Sequence, residues 1–112
     1  MSKASVRTII ILLTLFTAAV HGIVLNMQMG TIDPLFTLNA LGYLALLGAL
    51  LYNFPAGRQK LVHYAFMAFT AVTIVAWLVI NGDFSDPVGV STKAAEVLLI
   101  VFLWLHLKRS EA

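Results

Sequence analysis

The sequence predicts an all-α integral membrane protein in which four transmembrane helices form an antiparallel up-down bundle. Three observations support this fold class. Hydrophobic residues make up 61% of the 112 residues and charged residues only 11%, whereas about 25% of the residues in an ordinary soluble domain are charged. The mean hydropathy is +0.95. The apolar residues fall into long runs close to the roughly 20 residues that a helix needs to cross a bilayer.

The predicted spans cover residues about 8–28, 34–54, 61–81 and 88–107 of a single domain, residues 1–112. The first run follows a basic start, as in a signal peptide. It continues past Ala18 and Ala19 without a clear cleavage site, so we expect an uncleaved span.

The later helices have their own start signals. Asp33-Pro34 and Asp86-Pro87 predict the starts of the second and fourth helices, because aspartate is a common cap and proline suits the first helical turn. The third run begins at Leu61, after a basic loop. The fourth run is shorter, and we extend it back to residue 88 because a helix end among lipid headgroups tolerates polar side chains.

Basic residues predict the orientation. One side of the predicted bundle holds Lys3, Arg7, Arg58, Lys60, Lys108 and Arg109. The opposite side holds Asp33, Asp83 and Asp86, with Lys93 as its cation. Because cytoplasmic loops carry the excess of lysine and arginine, we expect a multi-pass protein of the cell (plasma or inner) membrane with both termini in the cytoplasm.

Composition and motifs limit the function. The chain has no cysteine, which excludes disulfides, thiolate metal sites and cysteine nucleophiles. A net charge of +2 is too small to indicate a nucleic-acid partner. The sequence contains no P-loop, dinucleotide fingerprint or Ser/His/Asp set, and the short loops leave no room for a soluble domain. We therefore predict a protein that is not an enzyme and has no resident cofactor or metal.

Polar residues interrupt the apolar runs on one face of each helix, at about 100° per residue. On the first helix they are Arg7, Thr14, Thr17, His21 and Gln28. On the third they are His63, Thr70, Thr73, Trp77 and Asn81. Because polar groups in lipid need partners within the protein, we expect these faces to point inward.

The depths of His21, Asn39 and Glu96 predict a polar cluster within the membrane. Each lies roughly 5–8 Å below the outer interface, at about 1.5 Å per residue. Mutual hydrogen bonds would fix helix rotation, while a functional cluster would form a proton relay or line a polar cavity. In a third interpretation, Glu96 pairs with Lys93 near the headgroups.

His63 and His106 lie near the cytoplasmic ends of neighbouring predicted helices. Haem iron can take an axial histidine from each of two helices, so the pair is a candidate site for haem or a pigment. The alternative is that both side chains extend towards lipid phosphates among the basic residues around them. Histidines three or four residues apart, which would indicate a metal site on one helix, are missing.

Small residues predict a packing interface on the second helix, either within the bundle or against another protein. They are Gly42, Ala45, Gly48 and Ala49.

These observations predict a small non-catalytic subunit that packs within a larger respiratory, photosynthetic or transport complex in the membrane. Its partners would be the lipid bilayer and other membrane subunits or further copies of itself, and not nucleic acid. Two alternatives stay open. One is a homo-oligomeric channel or transporter that uses the His/Glu/Asn cluster. The other is a redox protein that binds haem, a pigment or quinone.

Overall fold

The computed structural model describes residues 2–24, 27, 30, 34–52, 57–80, 85 and 87–111, with only the backbone of residues 35, 36, 80, 110 and 111. This part of the chain is helical. Its four α-helices are α1 (Lys3–Ala19), α2 (Pro34–Leu51), α3 (Gln59–Ile80) and α4 (Pro87–Glu111). A π-helical turn, Val20–Val24, continues α1.

The helix starts agree with their local sequence. Pro34 and Pro87 are the first residues of α2 and α4, where the missing proline N–H costs no intrahelical hydrogen bond. The predicted caps Asp33 and Asp86 lie outside the described residues. The Ser2 side chain caps α1 by accepting a hydrogen bond from a backbone N–H of the first turn, at 3.0 Å.

Three helices are long and apolar enough to cross a membrane. They are Lys3–Val24, Gln59–Val79 and Pro87–Arg109. The apolar part of α2 is shorter, Thr37–Leu51. Residues 53 and 54 of the predicted span lie outside the described part of the chain. Length and apolar composition of three helices thus indicate a membrane protein, and the fourth crossing stays a prediction.

The helices pack in a ring in chain order. Each contacts the next along the chain, and α1 also packs closely against α4, which closes the ring. The resulting body measures 44 × 24 × 22 Å. Side chains between the helices form the core, and its fully buried apolar members include Val6, Ile10, Tyr43, Phe66, Leu99 and Leu103.

The predicted inward orientation is confirmed for three threonines on α1 and α3, whereas Thr73 of α3 is half-buried. Thr14, Thr17 and Thr70 are fully buried. The Thr14 hydroxyl donates to the Ile10 carbonyl at 2.7 Å, and the Thr70 hydroxyl to the Phe66 carbonyl at 2.9 Å. Such a bond to the preceding turn lets a hydroxyl be buried without a partner on another helix.

The ends of the predicted polar faces differ from the middle. Arg7 is exposed, because it lies in the early turns of α1, where a long charged side chain can leave the bundle. Gln28 and Asn81 lie outside the described residues.

Candidate functional site

A fully buried carboxylate lies within α4. Glu96 is fully buried, and it accepts a hydrogen bond from the Tyr43 hydroxyl of α2 on one oxygen. Its other oxygen forms an ion pair with Lys93, one turn earlier on α4. A buried charge is tolerated only when it is paired and hydrogen-bonded. We call Tyr43, Lys93 and Glu96 the Glu96 cluster.

The contact between Glu96 and Lys93 agrees with the third interpretation of the sequence only in part. The two side chains do pair, but Lys93 is itself buried rather than extended to the headgroups. The pair therefore lies among the helices, where α2 contributes the tyrosine.

His21 adjoins the Glu96 cluster through Tyr43. It lies in the π-helical turn and is buried. Its Nδ1 lies 2.8 Å from the Thr17 carbonyl oxygen, and its ring centroid is 6.3 Å from that of Tyr43. The carboxylate of Glu96 is within electrostatic range of His21, although its two oxygens contact Tyr43 and Lys93. The predicted neighbourhood of His21 and Glu96 thus has a tyrosine ring at its centre.

Asn39 reaches the same group through a threonine. Its side-chain amide donates to the Thr73 hydroxyl at 2.9 Å, and Thr73 in turn donates to the Phe69 carbonyl at 2.9 Å. The Thr73 hydroxyl also lies next to that of Tyr43. Asn39 Oδ1 is buried and has no hydrogen-bond partner among the described residues. The three residues of the predicted cluster are therefore neighbours, linked by side chains that the prediction did not include.

A sequence signal for Tyr43 was present. Tyr43 follows Asn39 by four residues, so the two share a face of α2. Hydropathy counts tyrosine as an apolar or interfacial residue, which hides its hydroxyl as a donor for Glu96.

The predicted packing residues of α2 divide into different environments. A Cβ atom on Gly42 would lie 2.6 Å from the Phe69 ring, which makes Gly42 a close contact between α2 and α3. A Cβ atom on Gly48 would have no atom within 4 Å. Ala45 is exposed and Ala49 half-buried. Of the four predicted packing residues, only Gly42 lies where a neighbouring side chain, Phe69, leaves no room for a Cβ atom.

His63 and His106 form a hydrogen-bonded pair at the end of the bundle away from Glu96, where α3 begins and α4 ends. His63 Nε2 lies 2.7 Å from His106 Nδ1, and the rings stack with an interplanar angle of 17°. His63 Nδ1 lies 2.6 Å from the Gln59 carbonyl oxygen. Since a carbonyl only accepts, Nδ1 of His63 carries a proton, and in the neutral pair Nε2 accepts from His106. We call these two residues the histidine pair.

The geometry of the histidine pair bears on both interpretations of it. The two rings are buried, so the expectation that they extend to the lipid headgroups is wrong. Two axial nitrogens on opposite sides of a haem iron would lie about 4 Å apart, at roughly 2 Å per bond, and these two are 2.7 Å apart. This arrangement joins the rings directly. Among the described residues, no group of three or more His, Asp or Glu side chains could hold a metal ion.

An apolar layer separates the histidine pair from the Glu96 cluster. Leu99 and Leu103 lie between Glu96 and His106 on α4, and Phe66 precedes Thr70 by one turn on α3. These three apolar side chains are fully buried. Along α3 and α4, fully buried apolar side chains therefore separate the Glu96 cluster from the histidine pair.

A cavity of about 560 Å³ adjoins the histidine pair. Its polar lining residues are Lys3, Arg7, Gln59, His63 and His106. We call it the basic cavity.

A family described as "Family of unknown function (DUF7475)" matches residues 1–106. No curated protein and no solved structure matches the chain.

Proposed function

We propose that this chain is a small non-catalytic membrane subunit that packs against helices of a larger complex. The chain belongs to the DUF7475 family, whose function is unknown. The observation that carries this proposal is an unburied stretch of α3. From residue 71 to residue 79 none of the described side chains is buried, although His63, Phe66 and Thr70 earlier on the same helix are. We call residues 71–79 the distal half of α3.

The exposed side chains of this stretch are small or β-branched for the most part: Ala71, Val72, Val75, Ala76 and Val79. On α1 and α2 the exposed apolar side chains are larger for the most part: Leu12, Leu15, Phe16, Leu38, Leu41 and Leu44. On α4 both kinds are exposed, with Val90, Val97 and Val101 beside Leu98 and Trp104. Helix interfaces in membranes are enriched in small residues, because these let two backbones approach closely. The distal half of α3 thus differs from the exposed faces of α1 and α2 in the property that favours a partner helix over lipid.

A groove beside the distal half of α3 supports the same surface. It has a volume of about 270 Å³ and runs between α3 and α4. Its lining is apolar apart from Lys93: Ile74, Trp77, Leu78, Val90, Lys93, Ala94 and Val97. An apolar helix of another membrane chain can place its side chains in this groove. The partner we propose is therefore a transmembrane helix and not a soluble protein.

The internal pairing of polar groups supports a non-catalytic role. The charges of Glu96 and Lys93 neutralise each other, and the histidine pair is bonded to itself and to Gln59. Such groups fix helix rotation. The apolar layer between the two polar groups argues against a transport path within one copy.

The proposed orientation has both termini in the cytoplasm, with four helices crossing the cell membrane. Lys3 and Arg7 of α1 line one cavity with His63 and His106. Lys3, Arg7, Lys60, Lys108 and Arg109 are therefore near one end of the bundle, and Lys93 lies towards the other. This distribution supports a cytoplasmic location for the end with the excess of positive charge.

Photo-crosslinking in native membranes tests the partner surface. A benzophenone amino acid replaces Val75, which is 57% exposed on the distal half of α3, or Leu12, which is 62% exposed on α1. We expect a defined adduct with another membrane chain from position 75 and not from position 12. In parallel, Val75→Trp should release the 12.2 kDa chain from its complex in native electrophoresis, whereas Leu12→Trp should not.

Three results would contradict the subunit proposal. Adducts with lipid alone at position 75 would mean that the distal half of α3 faces the bilayer. Equal adducts from both positions would mean that the contact is not specific. An adduct of two copies of the chain, with a homo-oligomer in native electrophoresis, would favour the channel or transporter instead.

A further inference from the structure

The basic cavity has the size and the lining of a site for a small anion-bearing ligand. Its volume of about 560 Å³ lies within the range of about 300–1,000 Å³ that is typical of small-molecule sites. Leu50 and Leu51 of α2 give it an apolar wall, while α1, α3 and α4 supply basic side chains. None of the described residues that line it is acidic.

The charges around the cavity lack a negative counterpart among the lining residues that the structure describes. Arg7 follows Lys3 by about one turn of α1, and both side chains are within electrostatic range of His106. Like charges that line one cavity repel each other, and because Lys3 and Arg7 are exposed, solvent screens part of this repulsion. An anion between them would turn this repulsion into attraction.

The position of the cavity along the helices fits a phosphate at the level of the lipid headgroups. Lys3 begins the first candidate span, and Arg109 ends the last. His106 precedes Arg109 by three residues, or about 4.5 Å at 1.5 Å per residue. The cavity therefore lies close to the end of the spans, where phospholipid phosphates are found.

We propose that the basic cavity binds a phosphate group, carried by an anionic phospholipid headgroup or present as free phosphate. Arg7 is the main ligand, because a guanidinium matches phosphate oxygens with two parallel hydrogen bonds. Lys3 adds a second charge, and Leu50 and Leu51 contact the apolar part of a lipid. The site lies at the end of the bundle opposite the Glu96 cluster and does not depend on the proposed partner surface.

Lipid retention by the purified full chain tests this site. Native mass spectrometry in detergent compares binding of phosphatidylglycerol, which is anionic, with phosphatidylcholine, which has no net charge. A thermal shift with inorganic phosphate is measured on the same samples. Arg7→Gln and Lys3→Gln remove the proposed ligands, and Arg109→Gln is the matched control, since Arg109 is exposed and is not among the described lining residues.

We expect the unaltered chain to retain phosphatidylglycerol over phosphatidylcholine. Arg7→Gln should weaken this binding about tenfold, since a hydrogen bond to a charged group is among the strong ones. Arg109→Gln should change it less than twofold. The melting temperature without ligand shows that each variant is folded, and Lys3→Gln, at the first residue of α1, provides the second test if Arg7→Gln fails to fold.

The remaining outcomes decide the source of the phosphate or overturn the site. A thermal shift with inorganic phosphate that Arg7→Gln removes, without lipid preference, identifies free phosphate as the ligand. Equal losses in Arg7→Gln and Arg109→Gln would mean that the basic end attracts anions without a site. The absence of any response to phosphatidylglycerol or phosphate in the unaltered chain would also overturn the proposal.

Discussion

Removal of Lys93 should destabilise the protein more than removal of the charge on Glu96. Glu96 is fully buried and its side chain has only two described contacts through its oxygens, Lys93 and Tyr43. Lys93→Met leaves the carboxylate with the tyrosine alone. Loss of one partner of a buried ion pair costs about 3–5 kcal/mol, and we expect the free energy of unfolding to fall by that amount.

Glu96→Gln should cost less, about 1 kcal/mol. The amide oxygen of glutamine still accepts from Tyr43, and a hydrogen bond between membrane helices contributes about 0.6 kcal/mol on average. The Lys93 side chain is 11% exposed and lines the groove between α3 and α4. Its flexible stem can therefore carry the ammonium group towards the interface, an escape that the enclosed carboxylate does not have.

The double variant Lys93→Met/Glu96→Gln separates pairing from packing. It has no unpaired charge, so its stability should lie within about 1 kcal/mol of the unaltered chain. The resulting coupling energy would be at least about 3 kcal/mol. Unfolding in mixed micelles with a rising fraction of sodium dodecyl sulfate, followed by circular dichroism, measures all four proteins. Additive losses, or a Lys93→Met loss below about 0.5 kcal/mol, would refute a buried pair.

Two further substitutions test the packing, each with its own control in the same unfolding assay. Gly42→Ala should lower the free energy of unfolding by about 1–3 kcal/mol, because the new methyl group would lie 2.6 Å from the Phe69 ring. Gly48→Ala is the control, and it should be neutral or slightly stabilising because the space around Gly48 is open. Equal effects of the two substitutions would show that α2 and α3 are not in close contact at Gly42. Phe66→Ala, at a fully buried position, should cost roughly 2–3 kcal/mol, below the range of about 3–5 for soluble cores, because lipid and not water surrounds the separated helices. Val72→Ala, at an exposed position, should be silent, and a comparable loss there would place Val72 in a core.

The helices were predictable because their signals are local. Apolar runs and the prolines at residues 34 and 87 predicted the elements, and the burial of Thr14 and Thr70 followed from helical periodicity. The π-helical turn at Val20–Val24 was not predictable in this way. A π turn accommodates one residue more than an α turn, so the constant 100° step that relates Thr17 to Gln28 does not hold across it.

The polar contacts depended on helix rotation, which the sequence constrains only loosely. Periodicity predicted that Glu96 would be buried, but its partner could be any polar group at that depth on a facing helix. Tyr43 became that partner because α2 brings its hydroxyl to α4 while Gly42 accommodates Phe69. The histidines at 63 and 106 were expected to be neighbours for the same reason of depth. Whether the two histidines would bind a haem or pigment between them or form a hydrogen bond with each other depended on the distance between α3 and α4. Local sequence patterns do not contain this distance.

The separation of the two polar groups also makes the two proposed sites independent. The partner surface includes Lys93, which lines the groove and belongs to the Glu96 cluster. The basic cavity lies beyond the apolar layer formed by Phe66, Leu99 and Leu103. Residues without shared partners have nearly additive effects, so a partner helix that fills the groove can act on the Glu96 cluster by reducing its access to the interface, without altering the cavity. The Lys93 side chain would then be less mobile in the complex than in the isolated chain. Partner binding would stabilise the ion pair at one end of the bundle, and phosphate would bind at the other end.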